Sequence, residues 1–570
     1  MPENRAVHAY LFEAKGVQRY LFASGRLRDV IGASDLVARI ATSSGEADLI
    51  GAVLADLNLK TVAEFPLGQE DGRQVSFSRR AGSVFCLHGE RETLIKVRMK
   101  MRQRVMLALP GLEISDALGK GSTEIAARDD AQRNASAIRA NMIATILPMG
   151  RPVMAIAPQA GLPCTGRIKY GAVDEFLFDA VTALQRRRGD LLQKRMKDTG
   201  RGSNQPDLLD GVARRFHPDT QSEGLPVYYP RNLDPMEVDS ESNPLFPFEG
   251  ADTRIAYVHA DLSGLGEGFA NAKPQTAAAA LALGKQVEDS VLCAVRETNT
   301  ALIVTSAKGH SGESFRVAPA RPIVIGGDDM TFIVRADLAL RFTEMLLRKL
   351  EDHTHTVLGG LSACAGVAIV GKSLPFLTAN ALAESLCKHA KKEAKKNPRE
   401  GNKGKWPSLF SFHMQTQTAE EDYGEDIVST LTAPGERKLS ANPYAVNHCS
   451  AKQTDTTEFV HLLALASAIE TMPGCFGALR KIKGELANGR AGLARSLWRR
   501  IMTRPDLSGD GGTAFDRFRD ELKVILGTDP STIDVPNHGA LFDALALVDC
   551  KALAITSDPT PNEVAQEQAA

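Results

Sequence analysis

The sequence lacks the features that define several large classes of protein. Its 8 cysteines are scattered and form no Cys-x-x-Cys pair, which argues against a zinc ribbon and against a disulfide scaffold. No apolar run reaches the roughly 18 residues that a membrane span requires, and the polar start Met1–Arg5 predicts no signal peptide. We therefore expect a reduced, cytoplasmic protein that does not enter a membrane.

The chain also has no large excess of positive or negative charge, since its formal net charge is −1. Global charge therefore gives no reason to expect nucleic-acid binding, and only a local basic patch could provide it. The chain has 570 residues, which is too long for one hydrophobic core, so several domains are expected.

The central motif of the sequence is a hairpin that carries two adjacent carboxylates. Apolar residues lead into Gly326-Gly327-Asp328-Asp329 and resume directly after it, which predicts two strands joined by a turn. Neighbours in a strand point to opposite faces, so the two aspartates are expected to have different roles. Gly and Asp also fill hairpin turns for structural reasons, so this motif alone is weak.

A second acid, Asp261, ends a strand-like run that begins at Arg254. In the Gly-rich turn that follows, Leu262, Ser263 and Gly264 are expected to present backbone N–H groups to phosphate oxygens, with a purely structural turn as the alternative. Mg²⁺ prefers one or two carboxylates completed by substrate phosphates. The candidate catalytic and metal-binding residues are Asp261, Asp328 and Asp329.

A helix rich in alanine and lysine is predicted after the next strand. Lys391 and Lys395 are four residues apart and share one face of it. By periodicity alone, a solvated helix end is the simpler interpretation. An acidic strand end, a Gly-Gly-Asp-Asp hairpin and this helix in this order resemble palm-type nucleotide cyclases and polymerases.

In particular, the chain resembles the large polymerase-like subunit of type III CRISPR effector complexes. The segment Val17–Val37 resembles the N-terminal signature of that family, and the lysine helix resembles the one shared with GGDEF-type cyclases. The first half repeats the order of strand, helix and hairpin. Its hairpin tip carries Ala81-Gly82-Ser83, however, and its first strand offers only Glu13, so we interpret it as a palm without metal ligands.

The resemblance implies an α+β fold with two ferredoxin-like palm domains, the first degenerate, and a C-terminal helical domain. Helix-period apolar residues support the last of these at Glu458–Thr471, Gly474–Asn488, Gly492–Arg500 and Thr513–Leu526. The expected boundaries are 1–146 for the first palm, 147–250 for an insert and linker without a zinc site, 251–415 for the catalytic palm, 416–555 for the helices and 556–570 for a disordered tail. Within the insert, Ala172–Met196 is predicted to be helical, with Arg186-Arg187-Arg188 as solvated surface.

The same resemblance implies a nucleotidyltransferase that joins ATP into cyclic oligoadenylates for antiviral defence, using Mg²⁺ or Mn²⁺. Asp261 and Asp328 would hold two such ions, with Asp329 assisting, for attack of a 3′-hydroxyl on the α-phosphate, and Lys391 would hold the triphosphate. The full set of expected nucleotide-binding residues is Leu262, Ser263, Gly264, Gly326, Gly327, Lys391 and Lys395.

The alternative is a scaffold that binds crRNA, target RNA and other type III subunits. Relatives often begin with an HD nuclease domain, and the absence of any His-Asp dipeptide predicts that this activity is missing here. The sequence leaves open the base, the ring size of the product, the activator and whether two chains pair.

Overall fold

The computed structural model of the chain shows two sheet-and-helix halves followed by a group of helices. The expected tail at 556–570 and the hairpin residue Gly327 lie outside the described residues. The described residues are 6–42, 48–66, 72–140, 155–157, 162–170, 174–198, 227–229, 254–306, 315–326, 328–398, 406–415, 421–435, 437–446, 457–472, 475–503, 510–533 and 539–549.

The first half is a five-stranded sheet covered by helices. Its strands run in the order β2-β3-β4-β1-β5, with β1 antiparallel to both β4 and β5. Apart from β2, this is the order produced by a β-α-β-β-α-β unit. The elements are β1 (Val7–Lys15), α1 (Val17–Phe22), α2 (Leu27–Ala38), α3 (Leu49–Asp56), β2 (Lys60–Val62), β3 (Gln74–Ala81), β4 (Val84–Gly89), α4 (Arg91–Ala108), β5 (Glu113–Gly121) and α5 (Glu124–Ala140).

The segment between the halves differs from its prediction. It contains a hairpin of β6 (Gly166–Tyr170) and β7 (Asp174–Phe178), and the helix α6 begins at Ala180 and runs to Asp198. The prediction that a helix starts at Ala172 is therefore wrong. A second short piece, β8 (Val227–Tyr228), lies parallel to a strand of the second half.

Two of the three arginines predicted to be solvated surface instead form ion pairs with α2, whereas Arg187 is exposed as predicted. Arg186 donates to both carboxylate oxygens of Asp29, at 2.8 and 2.6 Å, and Arg188 lies 2.5 Å from Asp35. Helices α2 and α6 pack closely at Gly32, where an added Cβ would lie 1.9 Å from the carbonyl oxygen of Gln185. This close packing brings the arginines to the acids of α2. Buried acids at such a contact require cationic partners.

The second half repeats the architecture of the first. Its sheet has the order β12-β13-β9-β14-β15-β18, and the first four strands again follow a β-α-β-β-α-β unit. The elements are β9 (Arg254–Ser263), α7 (Leu265–Ala272), α8 (Ala277–Ala301), β10 (Val304–Ser306), β11 (Phe315–Val317), β12 (Ala320–Gly326), β13 (Asp329–Arg335), α9 (Ala339–Thr354), β14 (Ser362–Gly371), α10 (Phe376–Lys396), β15 (Leu409–Met414), β16 (Thr432–Ala433), β17 (Arg437–Lys438) and β18 (Tyr444–Ala445).

The two faces of the central strand β9 belong to different cores. Ala256 and Val258 pack with α8 and α9, whereas Ile255 and Tyr257 face a core that includes α10 and the first half. This alternation is the ordinary period of a strand that is buried on both sides. One face of the second palm sheet is thus covered in part by residues from the other half of the chain.

An aromatic cluster marks the contact between the halves. Phe22 of α1 packs edge-on against Tyr257 and Phe376, with ring centroids 6.4 and 6.3 Å away. Tyr257 and Phe376 are themselves 5.7 Å apart. Edge-to-face rings at these distances contribute specific packing in addition to the area that they bury.

Helices follow the second sheet, as the sequence predicts. They are α11 (Phe459–Thr471), α12 (Phe476–Ala487), α13 (Ala491–Met502), α14 (Asp510–Leu526) and α15 (Ala540–Asp549). Buried Asp543 of α15 accepts hydrogen bonds from the Tyr444 hydroxyl and the Ala441 N–H, which attaches this group to strand β18. No helix in the described parts of the chain has the length and hydrophobicity to cross a bilayer.

The Phe22 cluster gives a first testable prediction. We expect Phe22→Ala to destabilise the chain by about 3–5 kcal/mol, because it removes a buried ring and leaves a cavity between the halves. The control is Leu377→Ala on α10, whose side chain is 45% exposed and which should change stability by less than about 0.5 kcal/mol. Calorimetry of the full chain measures both, and equal effects would contradict the cluster's role.

Candidate functional site

The register of the second sheet brings two of the predicted carboxylates together. In the β13–β9 ladder Asp329 lies directly opposite Asp261. Directly opposed residues in an antiparallel pair project from the same face of the sheet. That face is the one that carries Tyr257, so the two carboxylates point towards α10 and the first half.

Asp328 occupies a different position from its neighbour. It is exposed in the turn of the hairpin, and its carbonyl oxygen accepts a 2.9 Å hydrogen bond from the Leu262 N–H. The prediction was that Asp328 would hold metal together with Asp261 and that Asp329 would assist. The geometry instead makes Asp329 the cross-strand partner of Asp261, with Asp328 at the rim.

Each paired carboxylate has one oxygen with a partner and one without. Lys391 of α10 donates to Asp261 Oδ2 at 2.8 Å, and Gln18 of α1 donates to Asp329 Oδ2 at 3.1 Å. Both Oδ1 atoms are buried and have no hydrogen-bond partner among the described residues. His259 Nδ1 lies 3.3 Å from Asp329 Oδ1, a short contact without hydrogen-bond geometry.

The electrostatics of the site are those of crowded carboxylates. Loss of solvation raises the pKa of Asp329 to about 7, against the hydrogen bond from Gln18, and the nearby carboxylates of Asp261 and Asp328 raise it further. Burial lowers the pKa of Lys391, but the hydrogen bond and charge of Asp261 outweigh it, so the net shift is upward. In the absence of another cation, Lys391 supplies the compensating charge.

These carboxylates suit a magnesium-type ion. Two unpartnered carboxylate oxygens on adjacent strands provide hard oxygen ligands, and Mg²⁺ takes its remaining ligands from water and substrate phosphate. Over the described ranges, no group of three or more His, Cys, Asp or Glu side chains is assembled to hold a metal alone. These residues would therefore supply only part of a coordination shell, which a phosphate-bearing substrate would complete.

The residues predicted to bind nucleotide differ in whether their polar groups are engaged, buried or exposed. The N–H of Leu262 is already engaged by the hairpin, and the Ser263 hydroxyl is buried 3.9 Å from Cys364 Sγ. Gly264 has a φ of 86° and caps α7, a conformation that favours glycine. Gly326 ends β12 in open space, and Lys395 is exposed one turn beyond Lys391. Nucleotide contacts at these positions stay predictions.

Sequence reasoning missed three residues that the structure brings to the carboxylates. They are Gln18 from the first half, His259 on β9 and Asn380 on α10, which donates to Gln18 Oε1 at 2.7 Å. Gln18 lies within the Val17–Val37 signature. No local pattern there indicates a contact more than three hundred positions away along the chain.

The first half carries the remnant of an equivalent site. Glu13 on β1 lies opposite Val84, the first residue after that hairpin, just as Asp261 lies opposite Asp329. Valine offers no oxygen ligand, and the Glu13 carboxylate is 2.7 Å from the ammonium of Lys15. The first palm is degenerate at the position that matters most for metal binding, as the sequence predicted.

Comparison with protein families identifies the domain that holds this site. Residues 254–399 match the family model described as Cas10/Cmr2, second palm domain. The match spans β9, the hairpin and the lysine helix, which are the three elements on which the resemblance rested. This region of the chain is therefore similar to that domain, and the predicted resemblance to the large subunit of type III CRISPR complexes is confirmed.

Similar solved structures include three whose chains are each covered to 70%, with 96% of this chain aligned. They are the Csm1–Csm4 cassette in complex with pppApApA (12% identity, TM-score 0.48), the same cassette in complex with cA4 (11%, 0.46) and Csm1 from T. onnurineus (12%, 0.43). Comparison with curated proteins gave no match.

The raised pKa of Asp329 gives a prediction about pH. Between the ordinary value of 3.8 and about 7 the folded chain keeps a proton that the unfolded chain has lost, so stability falls as pH rises through this window. In EDTA we expect Asp329→Asn to melt above the wild type at about pH 8, with the difference shrinking towards about pH 4.

Melting curves of the metal-free chain at both pH values measure this effect. Asp352→Asn, an exposed aspartate on α9, is the matched control and should show no pH-dependent difference. An Asp329→Asn effect of equal size at both pH values would contradict the assignment.

Proposed function

We propose that the second palm domain is an ATP-dependent nucleotidyltransferase that makes cyclic oligoadenylates. The observation that carries the proposal is the cross-strand pair Asp261–Asp329 with its two unpartnered oxygens, beside Lys391. The match of residues 254–399 to the Cas10/Cmr2 second palm domain supports the same function. The product class and adenine as the base follow from the family resemblance.

Asp261 and Asp329 would hold Mg²⁺ or Mn²⁺, with Asp328 reaching it from the exposed turn. Bound there, the ion would polarise the α-phosphate and favour ionisation of the attacking hydroxyl. The protein's part is to hold the ligand oxygens on adjacent strands of a buried sheet, so that little reorganisation is needed at the moment of reaction.

In each coupling step the 3′-oxygen of one ATP forms a bond to the α-phosphorus of the next. The bond from that phosphorus to the bridging oxygen of the β-phosphate breaks, the hydroxyl proton is lost and pyrophosphate leaves. In the last step the 3′-oxygen of the final residue attacks the α-phosphorus of the first triphosphate, which closes the ring and releases pyrophosphate. Negative charge accumulates on the pyrophosphate, where a fixed cation is most effective.

Lys391 would be that cation. Its ammonium is half-buried at the edge of the carboxylate pair, and its raised pKa keeps it charged at neutral pH. With a metal ion on Asp261, Lys391 would be available to pair with phosphate oxygens. Lys395 lies one turn further along the same helix and would meet the distal phosphates.

The carboxylates provide the direct test of the proposal. We expect Asp328→Ala combined with Asp329→Ala to abolish product formation from labelled ATP while the chain stays folded, because the ligand oxygens are lost. The matched control is Asp352→Ala, which should keep wild-type activity. Mass spectrometry identifies the products, and continued synthesis by the double variant would refute the site.

Lys391 provides a separate test. We expect Lys391→Ala to lower kcat/KM for ATP by about 10²-fold, on the order of the loss of one charged transition-state contact. Lys392→Ala, its exposed neighbour, is the control and should be close to wild type. Equal effects of the two substitutions would show that only general positive charge matters.

The same assays separate the enzyme from the alternative role. By resemblance to the family we propose that crRNA, target RNA and other type III subunits are its partners, so reactions are run with and without co-purifying RNA. Product that requires RNA would indicate an activated subunit, and product without RNA a free-standing cyclase. ATP binding with no product under any condition would favour a scaffold.

A further inference from the structure

A side chain of the first palm reaches the carboxylates of the second. Gln18 Nε2 donates to Asp329 Oδ2 at 3.1 Å, and Gln18 Oε1 accepts a 2.7 Å hydrogen bond from Asn380 Nδ2. Asn380 also donates to Glu384 Oε1 at 3.0 Å and is almost fully buried. The Gln18 amide is therefore held at both ends, and its N–H₂ group is directed at the carboxylate.

The helix that presents Gln18 is fixed by both halves of the chain. Phe22, four residues further along α1, projects from the same face and packs in the aromatic cluster with Tyr257 and Phe376. From the other side, Gln185 of α6 donates to the carbonyl oxygen of Tyr20 at 2.9 Å. Gln18 thus has little freedom to move away from Asp329.

We propose that Gln18 is a positioning residue, which holds Asp329 by its Oδ2 so that Oδ1 stays available to the metal ion. The proposal rests on the metal site described under the proposed function. Partners of metal-ligating carboxylates orient the ligand and tune its affinity for the ion. A neutral amide can orient Asp329 without cancelling the negative charge that attracts the cation, a task that differs from the one assigned to Lys391.

The internal repeat supports a role at the site over a role in general packing. Gln18 lies five residues after Glu13 in the first half, and the corresponding position five residues after Asp261 is Gly266. The polar side chain therefore occurs on the helix that faces the functional carboxylates. The counterpart of Gln18 in the second half is Gly266. The first half, which is the repeat partner of the second, has only Glu13 and Val84 in place of two carboxylates.

The test uses the full chain and Mn²⁺ as the probe, without nucleotide. We expect Gln18→Met, which keeps the length of the side chain but cannot donate, to weaken Mn²⁺ binding by about 10-fold. In the coupling reaction the Mn²⁺ concentration for half-maximal rate should rise similarly, whereas KM for ATP should change little. The matched control is Arg19→Ala on the same helix, whose side chain is 75% exposed, and it should leave both values unchanged.

Paramagnetic resonance of free Mn²⁺ measures binding, and a melting curve confirms that each variant is folded. Wild-type affinity for Mn²⁺ in Gln18→Met, or a rise confined to KM for ATP, would overturn the positioning role and leave the carboxylate site intact. Asn380→Leu, which frees the other end of the amide, should weaken Mn²⁺ binding in the same direction. A wild-type chain that binds Mn²⁺ neither alone nor after addition of an unreactive ATP analogue would instead refute the metal site itself.

Discussion

Packing between the two halves of the chain is the constraint on which the rest of the structure depends. One face of the second palm sheet is covered by α8 and α9, and the other is covered by α10 together with Phe22 and its neighbours from the first half. Without that cover, the face that carries the carboxylates would expose a large apolar surface to water. The same contact between the halves covers this face of the sheet and brings Gln18 to Asp329.

The negative charge at the site is only partly compensated. Two aspartates lie opposite each other across adjacent strands, and one ammonium and one amide satisfy half of their oxygens. Burial, and to a smaller extent the nearby carboxylates, raises the pKa of Asp329. A site that tolerates such carboxylates in a folded protein is ready to accept a cation, because binding removes a repulsion that folding has left in place.

Local sequence patterns predicted the elements of the site well. The apolar runs around the Gly-Gly-Asp-Asp motif became β12 and β13, the run ending at Asp261 became β9, and the lysine-rich segment became α10. The patterns did not show which aspartate would oppose Asp261, because register depends on the partner strand and a slip of one residue reverses every side chain. Strand β18 was missed for a related reason, since two residues at a sheet edge have no periodicity of their own.

The contacts of the first half with the site were beyond any local pattern. Gln18 and Asp329 are far apart in sequence, and their contact depends on how two separately patterned units dock. The arginines of α6 illustrate the same limit, since a basic run gives no sign that Asp29 and Asp35 will be buried beneath it. Sequence reasoning is strong within a repeat unit and weak between units.

The internal duplication has a consequence for how the site depends on protein concentration. A pocket assembled from two separate subunits forms only when they associate, and it is lost on dilution. Here the two contributing units are joined in one chain, so the loss of translational freedom is built into the covalent structure and one unit is always near the other. The Gln18–Asp329 contact is therefore insensitive to dilution, and the first half contributes to its neighbour's site although its own equivalent pair is Glu13 and Val84.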